Sequence, residues 1–156
     1  MLQAFAKVRE KTEAKLLILG IGSQEASLRM LAHELGLEND IDFLGFARNP
    51  YPYMRAADIL VQSSRWEGFG IALVEAMACG TPVVSTDCPS GPREILADGK
   101  FGKLVQPQDP DGLADAILKT LERPLAAELL VERAKEFSVE KSAAAYYALI
   151  ERLVAR

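Results

Sequence analysis

The sequence predicts a single α/β domain in which a mostly parallel sheet is packed between two helical layers. Three observations carry that prediction. Short apolar runs alternate with helix-period patterns, two of the runs close on a glycine, and 49% of the 156 residues are apolar, enough for one core. Parallel neighbours need crossover connections, and the intervening helical patterns supply them, covering both faces of the sheet. This is a Rossmann-like three-layer arrangement, and its ligands bind beyond the carboxyl ends of the strands.

The elements follow in order. Leu2, Phe5 and Ala6 recur at helical spacing and predict a helix within Met1 to Glu10. Lys15 to Leu19 reads as a strand closed by Gly20-Ile21-Gly22, and Leu28, Leu31, Ala32 and Leu35 mark a helix ending at Gly36. Ile41 to Leu44 is the next strand, before Gly45, and Tyr53 to Ala57 a short helix. Ile59 to Gln62 is a third strand, and Ser63 to Gly70 a loop. Ile71 to Cys79 reads as a helix stopped by Gly80 and Pro82, followed by the β-branched strand Val83 to Thr86. Arg93 to Ala97 is a short helix and Lys103 to Gln106 the last strand. From Asp111 the pattern is helical, with Leu113, Ala116, Ile117 and Leu121 on one face and a break at Pro124. No linker divides residues 1–156, and residues 125–156 form a C-terminal helical segment of the same domain.

Composition narrows the function. Lysine and arginine total 18 against 22 acidic residues, so a net charge of -4 gives no electrostatic basis for a nucleic-acid partner. Cys79 and Cys88 lack metal-ligand spacing and are expected to stay reduced in the cytosol. No apolar run is long enough for a signal peptide or a membrane span. The expected location is therefore the cytoplasm, with the parent protein docking peripherally on the inner membrane face through other sequence. His33, between Ala32 and Glu34 and far from the loops, is expected at the surface without a catalytic role.

The most informative stretch is Ser63-Ser64-Arg65-Trp66-Glu67-Gly68-Phe69-Gly70, placed where such a sheet binds ligands. Gly68 and Gly70 let the backbone approach a ligand, and the N–H groups opening the next helix favour a phosphate. An ordinary glycine-rich turn is the alternative. Glu75 is the only polar side chain from Ile71 to Cys79, in a helix expected to be buried nearly all round. A carboxylate there needs donors, which ribose hydroxyls would supply. A narrow solvent-facing stripe, or a pair with a basic side chain such as Arg93, would also accommodate it.

Glu67-Gly-Phe-Gly-Ile-Ala-Leu-Val-Glu75 resembles the paired-glutamate motif of the retaining glycosyltransferases called group 1 or family 4. The resemblance continues through Ala76 to Val84, Ser85 to Ile95 and Gly102 to Val105, and covers nearly the whole chain. It implies one lobe of a two-lobe GT-B fold that binds a nucleotide sugar as donor substrate, with no cofactor and no metal ion. Glu67, the catalytic candidate, would meet hydroxyls of the transferred sugar. Gly68, Phe69, Gly70 and Ile71 would present amides to sugar and diphosphate, with Ser64 and Arg65 in the same donor-binding loop, and Glu75 would hold the ribose. Gly20, Gly45 and Phe46 are placed to accept the base, although turn chemistry also explains them, as it does Gly22.

The Asp87-Cys88-Pro89-Ser90-Gly91-Pro92 segment is similar to members that build bacterial surface polysaccharides from uridine-diphosphate (UDP) hexoses or N-acetylhexosamines. Arg93 and Glu94 would reach the site, unless Glu94 caps a short helix. The resemblance also implies that an amino-terminal acceptor-binding lobe lies outside these residues. So does a strand preceding an Arg and a Lys that face the diphosphate. Lys7, Arg9 and Lys11 do not replace those cations and are expected to face solvent. The chain by itself is accordingly expected to bind donor without transferring sugar. In the resembling fold that strand lies centrally, between those containing Leu17 and Leu60. These two are therefore expected to close together, to pair with outside sequence, or to borrow pairing from a second copy in a homodimer. A non-catalytic nucleotide-sugar-binding module is the alternative function. A phosphorylase or epimerase is disfavoured, since neither a pyridoxal-phosphate lysine site nor the epimerase carboxylate and histidine pattern is recognisable.

Overall fold

A computed structural model describes residues 1–154. Helix α1 (Leu2–Arg9) leads into strand β1 (Leu16–Leu19), α2 (Glu25–Glu34), β2 (Ile41–Gly45), α3 (Tyr51–Ala56) and β3 (Leu60–Gln62). Next come α4 (Ile71–Ala78), β4 (Val83–Thr86), α5 (Pro92–Ile95) and β5 (Lys103–Val105). Three helices finish the chain: α6 (Pro110–Glu122), α7 (Ala127–Ala134), extended by a 3-10 turn over Lys135–Phe137, and α8 (Val139–Val154). The fold is α/β, and all strand pairs are parallel.

Expected and observed strands agree to within a residue or so at each end. Helix α3 starts two residues before the expected Tyr53, because Asn49 and Pro50 form its entry: the Tyr51 N–H donates to Asn49 Oδ1 at 3.2 Å, and Pro52 supplies a preset φ in the first turn. Helix α6 is entered in the same manner, with the Asp109 carboxylate accepting the Gly112 N–H at 2.8 Å.

Strand pairing departs from a single sheet. β1 pairs with β2, from Leu16 opposite Ile41 to Leu19 opposite Gly45, while β3, β4 and β5 form a second sheet in that order. The strands of Leu17 and Leu60 have not closed together. Leu16 and Ile18 of β1 and Ile59 and Val61 beside or in β3 pack into one cluster with Leu2, Phe5 and Val8 of α1 and Leu113 and Ile117 of α6. One continuous helical layer therefore holds both sheets and fixes their separation.

The second sheet is packed between two helical layers. Val61 and Val84 face the α1 and α6 layer, whereas Leu60, Val83 and Leu104 face Leu73 and Met77 of α4 and Leu130 of α7. The outer face of the first sheet is left open, with Leu17 at 42% and Leu44 at 39% of full exposure. Of the three early cations, Arg9 is not free in solvent: its Nε lies 2.9 Å from Asp40 Oδ2, and Lys7 reaches across to Asp111 at 2.8 Å.

Arg133 ties the C-terminal segment to the sheet. It donates to the carbonyls of Ile95 (2.9 Å) and Glu94 (2.6 Å) at the end of α5, and its guanidinium sits 4.7 Å from the Phe137 ring centre and 5.5 Å from that of Phe101. The Glu94 carbonyl also accepts the Ala97 N–H at 3.1 Å, whereas among the described residues Arg133 is the donor that satisfies the Ile95 carbonyl at the end of this very short helix. Arg133→Ala is expected to cost about 1 to 3 kcal/mol, read as a lowered unfolding midpoint in urea with unchanged m. An unchanged midpoint would show that α7 is held by Leu130 packing alone.

Candidate functional site

The candidate site lies at the carboxyl ends of the strands, where the loop after β3 turns into α4. Gly70 caps α4 with a left-handed backbone (φ 90°, ψ 43°) and carries no side chain to bond the helix end. The Leu73 N–H turns back to the Gly70 carbonyl at 3.0 Å. The N–H groups of Ile71 and Ala72 have no acceptor among the described residues, and they form the positive end of the helix dipole. Gly68 is exposed, and a Cβ built on it would meet nothing within 4 Å, so the backbone there is open to a ligand.

The loop is held in place from beneath. The Phe69 ring leaves the surface and packs edge-on against Phe137 at 5.6 Å, so only the Phe69 backbone remains at the site. Gly91 (φ 86°) lies directly against that backbone: a Cβ at position 91 would fall 1.6 Å from the Phe69 carbonyl oxygen. The Asp87 to Pro92 segment thus forms the floor of the loop. The Thr86 hydroxyl donates to the Ser64 carbonyl at 2.5 Å, and the Ser64 hydroxyl donates to Glu67 Oε1, also at 2.5 Å. Ser64 therefore orients the half-buried Glu67 carboxylate. Arg65 is exposed and bonds to no carboxylate among the described residues.

Glu75 sits one turn along α4 from its open end. Its Oε1 accepts a hydrogen bond from the Tyr51 hydroxyl at 3.2 Å, linking the starts of α3 and α4. That bond, with the negative charge beside it, holds the Tyr51 phenol above its ordinary range. The expectation that α4 is buried all round is corrected here: Ile71 is 56% exposed, Ala78 is exposed and Glu75 is half-buried. Residues 71, 75 and 78 share one helix face, which the domain leaves uncovered although its composition reads as core.

Pairing of Glu75 with Arg93 is not found either. Arg93 is engaged by Asp87 and, at 3.2 Å, by Asp98, and is itself exposed. Glu94 makes no side-chain cap to α5. Across the rim, the Gly20 N–H donates to the Gly45 carbonyl at 2.8 Å, bringing together the ends of β1 and β2, and Phe46 beside them is 73% exposed. Cys88 is buried beneath the loop, and burial pushes its thiol up, keeping it protonated and unreactive. Sequence reasoning missed Tyr51, Thr86 and the contact made by Gly91. The only signals were the Asn-Pro helix entry before Tyr51 and the Ser-Gly-Pro turn at 90–92.

A shallow recess lies elsewhere, between β5 and α6 beside Lys103, Gln106, Asp109 and Lys119. The candidate site is an open rim.

The sequence pattern defining glycosyl transferases group 1 matches residues 1–137. The chain belongs to this family. An uncharacterized glycosyltransferase of Methanocaldococcus jannaschii is 33% identical across 97% of the chain and 45% of its own length. A Campylobacter jejuni N-acetylgalactosamine-N,N'-diacetylbacillosaminyl-diphospho-undecaprenol 4-alpha-N-acetylgalactosaminyltransferase is 38% identical over 78% of the chain and 33% of its own length. Among solved structures, the apo lipopolysaccharide outer core galactosyltransferase WaaB superposes with TM-score 0.83 at 25% identity, over 97% of this chain and 44% of that one. Anabaena HepE in complex with UDP superposes with TM-score 0.79 at 25% identity, over 99% and 44% respectively. The group 1 glycosyltransferase chain thus has the fold of one lobe of GT-B enzymes and spans less than half the length of these relatives.

Proposed function

We propose that this domain binds the donor of a retaining glycosyltransferase, a UDP-linked hexose or N-acetylhexosamine, for transfer to a glycan or lipid-linked acceptor. One observation carries the proposal: a half-buried carboxylate, Glu75, stands one turn from two acceptorless N–H groups on the same helix. Carboxylates accept from ribose hydroxyls and amides at a helix start attract phosphate, so a nucleoside diphosphate engages both at once. Gly20, Gly45 and Phe46 lie toward the base, and Glu67, oriented by Ser64, toward the sugar hydroxyls. The similarity to HepE, solved with UDP, supports the nucleotide.

Leaving-group stabilisation is the chemical task, since a departing diphosphate accumulates negative charge that preorganised donors stabilise. Here the α4 amides supply part of it without a metal ion, the cations come from the strand and turn that the family resemblance places ahead of α1, and the acceptor surface comes from a second lobe. The open rim suits a cleft completed by such a lobe.

The test is calorimetry and turnover with UDP, UDP-glucose and UDP-N-acetylglucosamine. The chain is expected to bind UDP without transferring sugar, and Glu67→Ala to weaken the sugar-bearing donors by about 1 to 3 kcal/mol while sparing UDP. Equal weakening of UDP by that change would remove Glu67 from the sugar. Sugar transfer by the chain alone would contradict the division of labour.

A further inference from the structure

Gln62 ends β3 with a carboxamide that the fold leaves unused. Among the described residues, neither its Nε2 nor its Oε1 has a hydrogen-bond partner, and both atoms are closed off from solvent. Burying an amide this way is costly, and native structures rarely keep one without a reason. Its neighbours offer no reason in packing. Gln62 stands opposite Ser85, which is fully buried and bonds to the Thr86 carbonyl, and Leu60 on the same face belongs to the apolar cluster under α4.

The position of the amide is informative. A Cβ built on Gly70 would lie 3.1 Å from Gln62 Nε2 and 3.8 Å from Oε1, so the carboxamide sits directly below the cap of α4. The rest of the strand end is already strapped to the loop, through Thr86 to the Ser64 carbonyl and Ser64 to Glu67. The amide alone has been held back. It adjoins the residue that precedes the two acceptorless N–H groups.

We propose that Gln62 is a positioning residue for the donor site. Its carboxamide pairs with the backbone of the Glu67 to Gly70 segment once a diphosphate draws the start of α4 toward itself. The unpaired amide raises the energy of the free arrangement, and its pairing favours the occupied one. A ligand shifts a conformational equilibrium only through such a difference between the two states. The inference rests on the donor site proposed above but assigns a residue that touches no ligand.

Thermal unfolding and UDP calorimetry on Gln62→Leu and Gln62→Met, beside Glu75→Ala, test it. Both Gln62 variants are expected to hold or raise the melting temperature, because they remove an unsatisfied buried group. Both are expected to bind UDP about tenfold more weakly, the worth of one or two hydrogen bonds. A purely structural role would not separate those two readouts. Unchanged UDP affinity in both, with Glu75→Ala weakened, overturns this inference and leaves the donor site standing. Unchanged affinity in all three overturns both. Lower stability in both Gln62 variants also overturns it, since the amide would then be supporting the fold.

Discussion

Gly91→Ala is expected to destabilise the domain by about 3 to 5 kcal/mol, combining a disallowed backbone with an overlap that has no soft partner. The residue sits at φ 86°, and a methyl there would fall 1.6 Å from the oxygen and 2.4 Å from the carbon of the Phe69 carbonyl. A flexible side chain could swing aside, but a backbone held by the Phe69 ring in the core cannot. Relief requires the Asp87 to Pro92 segment and the Gly68 to Gly70 loop to separate, so UDP binding is lost with stability. Urea unfolding reads the first effect and calorimetry the second. Gly68→Ala is the control: its Cβ meets nothing within 4 Å, so stability should change by less than about 1 kcal/mol. A Gly91→Ala protein as stable as the parent would mean that the two segments do not touch.

Glu75→Ala is expected to weaken UDP binding by about 1 to 3 kcal/mol, roughly 5- to 150-fold, with little change in stability. The side chain is half-buried and its one hydrogen-bond partner among the described residues is Tyr51, so the fold loses a single exposed hydrogen bond. Tyr51→Phe separates the two roles, leaving the carboxylate free for ribose and removing only its protein donor. The Tyr51 phenol lies above its ordinary range in the folded state. Its contact is therefore fully present below the usual tyrosine range and is lost as pH rises through the raised value. Tyr51→Phe should abolish that alkaline dependence of stability.

The alternation of strands and helices was legible because the strands are short apolar runs, four of the five with glycine or proline on at least one side, and every expected strand is present. Pairing was not legible. Nothing in Lys15 to Leu19 or Ile59 to Gln62 says that the α1 and α6 layer will seat both strands yet hold them apart. The site loop and the start of α4 followed from Gly68, Gly70 and the apolar run after them. The surroundings of Glu75 were misjudged, because Ile71 and Ala78 look like core residues whether they face this domain or an opening. Arg93 offered itself as a partner for Glu75, but Asp87, on the preceding loop, lies within its reach, a proximity no helix spacing encodes. The unpaired amide of Gln62 had no signal, since a glutamine at a strand end ordinarily turns to solvent.

Amide chemical shifts followed during a UDP titration test the donor site most directly. The account predicts saturable shifts at Gly68 through Leu73, joined by Gly20 and Gly45, with the residues beside Lys103 and Lys119 unmoved. Saturable shifts confined to the β5 and α6 recess, with the Gly68 to Leu73 amides unchanged, would contradict it.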